Sequence, residues 1–246
     1  MLALKQNEFT ISIEEWKDER KERASELKVN APIVDDEYEN RSKSFHTPVQ
    51  PLTKEQVRKL KEYFLNGGNT KFKNMPNDCR NYMYVVLSLN LMRRCGDMIR
   101  LKVGDVINED GTFREHIVFN EEKTGKRAVV YLNSACREAL AIYFNRIGEY
   151  RMSDWLFPNF KKPGTHMTVD GMRKVLKRAC ADLGIDINIG THSLRKTMPY
   201  MIMGSGQVED ELIASQLLNH KNIRTTYHYV GRTQEELDDF VERFQL

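Results

Sequence analysis

The sequence predicts a mainly α-helical fold carrying one small antiparallel β-sheet, an α+β architecture. Three observations lead there. From residue 53 onward, apolar residues recur mostly with the three-to-four spacing of a helix face. Only two short runs, Phe113 to Phe119 and Ala128 to Leu132, read as extended, and they flank the turn-forming Lys123-Thr124-Gly125-Lys126. No internal repeat or low-complexity tract breaks the pattern.

The elements follow in chain order. Ser12-Ile13-Glu14-Glu15 is a capping box opening a highly charged helix to about Leu27, with a thin apolar face of Ile13, Trp16, Ala24 and Leu27. From Val29 to Gln50 come Pro32, Asp35, Asp36, Pro48 and scattered polar residues, so residues 1–50 read as an acidic helix and linker. Thr53 to Gln56 is a second capping box and opens the main domain, 51–246. Helices are expected over 53–65, stopped by Gly67-Gly68, and over 77–92, where Tyr82, Val85, Val86, Leu89 and Met92 make a buried stripe. After the hairpin, helical spacing returns over 134–147, 169–183, 193–203, 209–218 and 222–229. Thr233-Gln234-Glu235-Glu236 caps a tail helix over 233–246 with Leu237, Phe240, Val241 and Phe244 on one face.

Size and composition bound the function. A chain of 246 residues with 40% apolar content has material for a real core. Its longest apolar run, Tyr82 to Met92, is interrupted by Ser88 and Asn90 and falls short of the roughly 20 residues of a membrane span. Met1 to Phe9 lacks the hydrophobic core of a signal peptide, and a cytoplasmic location is expected. Cys79, Cys95, Cys136 and Cys180 form no C-x-x-C pair, so free thiols fit better than a zinc ribbon or disulfide framework. Residues 1–50 hold 8 Lys+Arg against 11 Asp+Glu and residues 51–246 hold 30 against 24, a cation excess in the main domain that permits a polyanionic partner.

The chemistry concentrates near the C-terminus. Thr191 to Thr197, with Leu217-Leu218-Asn219-His220 and Tyr229, gathers two imidazoles, a guanidinium and a phenol. An acyl or metal site would want a serine or cysteine nucleophile or several carboxylate, cysteine and histidine ligands; a phosphoryl group wants cations and an oxygen nucleophile. The six histidines show neither H-E-x-x-H nor a companion cysteine cluster, so no metal site is expected. Earlier in the chain stand Arg94, with an acid three residues later at Asp97 and then Leu101 and Asp105, and the basic hairpin tip with Lys123, Lys126 and Arg127.

On these motifs the chain resembles the tyrosine site-specific recombinases, the phage integrase family, over nearly all of residues 51–246. Arg94 with Asp97 looks like the first-arginine motif, and counting back seven from Leu101 selects Arg94 over Arg93. Lys123 looks like the hairpin lysine, His192-x-x-Arg195 the H-x-x-R box, and Leu218-x-His220 with Tyr229 nine residues on the final box. The sequence departs from the family pattern at Met92 and Asn219, where glycine is usual, and at Asp97, where glutamate is commoner. Each motif has an ordinary reading, such as an exposed arginine, a turn lysine or a helix-capping histidine; six positions in order favour the catalytic one.

The roles follow from the chemistry. Arg94 and Arg195 clamp nonbridging oxygens with planar, permanently charged forks. Tyr229 is the nucleophile; holding a phenol of pKa near 10 ionised at pH 7 costs roughly 4 kcal/mol, so a base or positive field is needed. His192 is the candidate base, His220 a donor to the phosphate, and Lys123 the acid for the departing 5′ oxygen. Asp97 is expected to orient a neighbouring arginine or histidine. Arg173, Lys174, Lys177 and Arg178 form a basic stripe that is a solvated face in most proteins and a phosphate contact on a DNA enzyme, as would be Lys126 and Arg127. The resemblance implies a 3′-phosphotyrosyl intermediate without metal or nucleotide cofactor, and double-stranded DNA as partner in a nucleoid-associated location. It further implies a DNA-bound homotetramer exchanging tail helices, with accessory DNA-bending proteins. A type IB topoisomerase and a catalytically silent DNA-binding regulator are the alternatives. Residues 1–50 look too short and too acidic for the DNA-clamping domain that precedes the catalytic one in full-length family members.

Overall fold

Helix α2 (Pro76–Leu91) is the axis on which the other elements are arranged. Cys79, Tyr82, Met83, Tyr84, Val85, Val86, Leu87, Leu89 and Leu91 are all buried, as are Arg80, Asn81 and Ser88. The expected single stripe is therefore too narrow: a helix buried around its whole circumference has partners on every side. Those partners are α1 (Lys54–Leu65), α4 (Ser134–Ile147) and α6 (Thr191–Met203). The computed structural model describes residues 49–68, 76–203, 208–218 and 225–226, all within the unit Thr47–Leu246. His220, Tyr229, the tail helix 233–246 and the N-terminal helix and linker lie outside the described residues, as does the helix expected over 222–229 apart from residues 225–226.

Local chemistry explains the boundaries. Thr53 caps α1 in a reciprocal box: its Oγ1 accepts from Gln56 N at 3.2 Å, and the Gln56 side chain accepts from Thr53 N at 2.9 Å. Leu60 and Phe64 point inward while Arg58, between Glu55 and Glu62, faces water. Asn133 caps α4 and Thr168 caps α5 (Val169–Asp182), each accepting from the backbone N–H three residues on. Short helix α3 (Cys95–Met98) follows α2, and α7 (Val208–Leu217) packs on α6. No helix among the described residues is long and apolar enough to cross a membrane.

The sheet has two antiparallel strands, β1 (His116–Asn120) and β2 (Arg127–Tyr131), with Val118 opposite Val129. Ile117 and Phe119 turn inward, and Val129 and Tyr131 stay exposed, the alternation of a half-buried strand. The first strand begins three residues later than the sequence suggested. Phe113 instead bridges Ile107, and Arg114 N donates to Val106 O at 2.9 Å, so that apolar residue serves a different pairing. Between the strands, Gly125 takes φ 64°, a left-handed turn that glycine adopts without steric cost.

Candidate active site

Three segments build the site: the turn after α2, the β1–β2 hairpin, and the first turns of α6. The chain leaves α2 through Met92, whose φ of 52° is the left-handed conformation. That reversal places two consecutive arginines in different surroundings. Arg93 is buried; its Nε donates to Leu91 O at 2.9 Å, Nη1 to Glu121 Oε1 at 3.2 Å, and Nη2 to the Leu217 carbonyl. Arg94, the N-cap residue of α3, is partly exposed and donates through Nη1 to Glu121 Oε2 at 2.7 Å. Glu121, one residue past β1, is thus held between two guanidinium groups and accepts a further bond from Thr124 Oγ1 at 2.6 Å.

The start of α6 is fixed by Gly190 and Ser193. Ser193 N donates to Gly190 O at 3.0 Å and Gly190 N to Ser193 Oγ at 3.1 Å. A Cβ on Gly190 would meet Val49 Cγ1 at 2.9 Å, so a side chain there would require Val49 to shift. Arg195 is buried and its Nη2 donates to Leu218 O at 3.2 Å. Arg93 and Arg195 therefore reach the carbonyls of Leu217 and Leu218 at the C-terminal end of α7, where the helix dipole favours cations.

His192 reports which side chains share a field. Its ring still meets solvent, yet its pKa is pushed below the ordinary 6.5, first by burial among surrounding atoms and then by Arg195, Arg94, Lys196 and Lys123. Cations from all three segments act on one imidazole. The consequence is a neutral ring at pH 7, able to accept a proton. The Arg93 guanidinium is pulled down to about 10 by burial and then by Arg195, and it remains charged at neutral pH.

Lys123 is exposed in the hairpin turn, Lys126 is half-buried beside it, and Arg127 opens β2 in the open. Asp97 acts on the hairpin: its Oδ1 accepts from Glu122 N at 3.2 Å, and no bond joins it to an arginine or histidine among the described residues. Its charge also acts on the neighbouring guanidinium groups of Arg93 and Arg100, while the short α3 presents the carboxylate to the hairpin backbone. Arg173, Lys174, Lys177 and Arg178 are exposed on α5, but Arg173 and Lys174 share Asp170 at 2.5 and 2.8 Å and Arg178 lies 3.9 Å from Asp182. Much of the stripe is paired within its own helix.

Sequence reasoning missed Arg93, Glu121 and Lys196. A signal existed for Glu121. Strand alternation that buries Ile117 and Phe119 also turns residue 121 inward, and a buried carboxylate requires cationic partners. Lys196, whose Nζ donates to Val49 O at 3.3 Å, had no such signature.

Residues 50–236 match the phage integrase family, well over half of the chain. The chain belongs to that family. Over 184 residues it is 28% identical to the probable integrase/recombinase YoeC of Bacillus subtilis (strain 168), which covers 74% of this chain and 90% of YoeC. The tyrosine recombinase XerD of Rhizobium meliloti (strain 1021) is 31% identical over 122 residues, 49% of this chain and 38% of XerD. Among solved structures, XerA recombinase aligns with a TM-score of 0.59 at 19% identity, covering 89% of this chain and 68% of XerA. XerH bound to palindromic difH substrate, a post-cleavage complex, gives 0.61 at 19% identity over 80% of this chain and 53% of XerH. At those identities the structural likeness is one of fold. Family membership makes this chain a tyrosine recombinase, an enzyme of site-specific DNA breaking and rejoining. In this phage integrase the position two before Arg94, commonly glycine in the family motif, keeps a left-handed backbone with a methionine in it.

Proposed function

We propose that Arg94, Lys123, His192 and Arg195, completed by His220 and Tyr229, carry out strand exchange at one scissile phosphodiester. The assignment is supported by the meeting of three segments: Glu121 accepts from both Arg94 and Thr124 beside Lys123, Arg93 and Arg195 reach the adjacent carbonyls of Leu217 and Leu218, and Arg195, Arg94 and Lys123 all act on the His192 imidazole. Tyr229 attacks phosphorus and passes its proton to the neutral His192. Arg94 and Arg195 donate to the nonbridging oxygens as charge builds on them, and His220 adds a donor. Lys123 protonates the departing 5′ oxygen. One P–O bond to the sugar breaks as one P–O bond to the phenol forms. The 3′-phosphotyrosyl link keeps the bond energy for attack by another 5′-hydroxyl, so neither a metal nor a nucleotide enters. Asp97 keeps the hairpin against the first-arginine turn.

The remaining assignments follow the same reading. Residues 51–246 form the catalytic domain, with 1–50 an acidic helix and linker. Lys126 and Arg127 face the DNA backbone, with the α5 cations in a weaker role because Asp170 and Asp182 share their charge. The protein works on double-stranded DNA in the cytoplasm, at the nucleoid, as a tetramer linked by tail helices 233–246 and assisted by DNA-bending proteins.

The test is incubation with nicked suicide duplexes of partly randomised sequence, scored for an SDS-resistant protein–DNA band. The reading expects a band that depends on sequence and vanishes in Arg195→Ala. Relaxation of any supercoiled plasmid without site preference would point to a topoisomerase instead.

A further inference from the structure

One buried carboxylate, Glu121, takes no part in the phosphoryl transfer itself. Glu121 has a side chain only 2% exposed, and Arg93 beside it only 3%. A carboxylate so buried is tolerated only when paired and hydrogen-bonded. Here its two oxygens are divided between consecutive arginines: Oε1 takes Arg93 Nη1 at 3.2 Å and Oε2 takes Arg94 Nη1 at 2.7 Å. Thr124 Oγ1 also donates to Oε2, at 2.6 Å, one residue from Lys123. The hairpin backbone closes around the same residue, with Gly125 N on Glu121 O at 2.8 Å and Glu121 N on Lys126 O at 2.9 Å.

We propose that Glu121 is a positioning residue that sets the Arg94 guanidinium and the Lys123 turn in register with each other, with Arg93 as its buried counter-charge. The inference rests on Arg94 and Lys123 having the roles assigned above. Arg94 makes one hydrogen bond among the described residues, through Nη1 to Glu121, so its other N–H groups remain for a phosphate while that one fixes the plane of the fork. Arg93 extends the brace. Through Leu91 O and Leu217 O it ties the carboxylate to the ends of α2 and α7, two residues before Asn219-His220. The clamp and the acid are thereby referenced to one rigid anion rather than to two independent loops.

Glu121→Gln keeps the shape and removes the charge. In the full chain, single-turnover formation of the covalent adduct on a suicide duplex is expected to slow by about 10- to 100-fold, with DNA affinity changed by less than about threefold. In an Arg94→Ala background the same substitution costs less than it does alone, because part of its effect passes through that guanidinium and only the part that passes through the Lys123 turn remains. Nitrogen-15 spectra of the arginine side chains give a second readout that needs no DNA. Arg94 signals restrained in the wild type become averaged in Glu121→Gln. An adduct rate equal to wild type, or losses that add in full to those of Arg94→Ala, would overturn the proposal. Should Glu121→Gln not fold, Arg93→Met with Glu121→Gln removes the stranded cation and is read by the same assays. A wild-type chain forming no adduct on any duplex would sink the recombinase reading itself. In that case unchanged Arg94 spectra in the variant count against positioning, and averaged ones support it.

Discussion

At the scale of single residues, the field around His192 makes predictions that differ in sign from those for an isolated imidazole. Burial and four neighbouring cations hold its pKa below 6.5, so the folded protein binds this proton less readily than the unfolded chain does. Its effect on stability is absent above pH 6.5 and becomes destabilising as pH falls through that value towards the lower folded pKa. Removing one of the cations reverses part of the shift. A proton-carbon NMR titration of His192 in Arg94→Ala should give a midpoint above that of the wild type; an unchanged or lower midpoint would place Arg94 outside the cluster. The general-acid role proposed for Lys123 has its own signature. Lys123→Ala should slow cleavage of an ordinary duplex by about 10²- to 10⁴-fold. A duplex with sulfur in place of the bridging 5′ oxygen leaves as a thiolate of pKa near 8.5, needs no proton, and should be cleaved at close to the wild-type rate. Equal defects on both substrates would remove Lys123 from that role. Charged and phenolic side chains at fixed spacings mark catalytic candidates in a sequence by their chemistry alone. Glu121 was harder to see, since its partners Arg93 and Arg94 lie 28 and 27 positions away and only strand alternation hints at its burial.

Elements show a different balance between pattern and context. Capping boxes and helical spacing place α1, α4 and α5 to within a residue or so of their observed limits, because caps are decided by side chains within one turn. The circumference of α2 and the start of β1 are decided by segments far away in sequence. The turn at Met92 gives a sharp test. A left-handed non-glycine residue costs roughly 1–2 kcal/mol, while the buried methionine side chain contributes about 2–5 relative to alanine. Met92→Gly loses the packing but relieves the backbone; Met92→Ala loses the packing and keeps the strain. Urea unfolding should therefore find the alanine variant less stable than the glycine variant by about 1 kcal/mol, the reverse of the usual order inside a helix. Alanine equal to or better than glycine would mean that the turn is not strained. Thr197 supplies a second test, as its hydroxyl accepts from Leu52 N at 3.0 Å and donates to Ser193 O at 2.8 Å, stitching the start of the domain to α6. Thr197→Val strands the buried Leu52 N–H and should cost about 1–3 kcal/mol in the same experiment; a neutral result would show that the link carries no stability.

For the whole molecule, charge is the quantity that reaches furthest. The described cations near the site sit in a domain with a modest basic excess, preceded by a 50-residue segment with 11 acidic against 8 basic side chains, and the α5 stripe is largely paired with Asp170 and Asp182. Weak DNA affinity by the purified 246-residue chain follows, with a salt slope corresponding to few phosphate contacts. Nanomolar binding to a single duplex site at physiological salt would contradict that expectation. Fold class and family were legible along the length of the chain because helical spacing, one hairpin and ordered motifs all point the same way. The mutual placement of Arg94, Lys123, His192 and Arg195 was not, since it depends on how α2, the hairpin and α6 pack.

The claim beneath all of this is that these cations serve one phenol attacking one phosphorus. It is tested most directly by trapping the chain on a nicked duplex, digesting with trypsin, and sequencing the nucleotide-bearing peptide by mass spectrometry. The expected product is the fragment Thr225 to Arg232 with the 3′-phosphate on Tyr229, with no adduct from Tyr229→Phe or Arg195→Ala and a much slower but measurable one from Arg94→Ala. A phosphate on Tyr227 or on any other residue, or an undiminished adduct from either arginine variant, would contradict it.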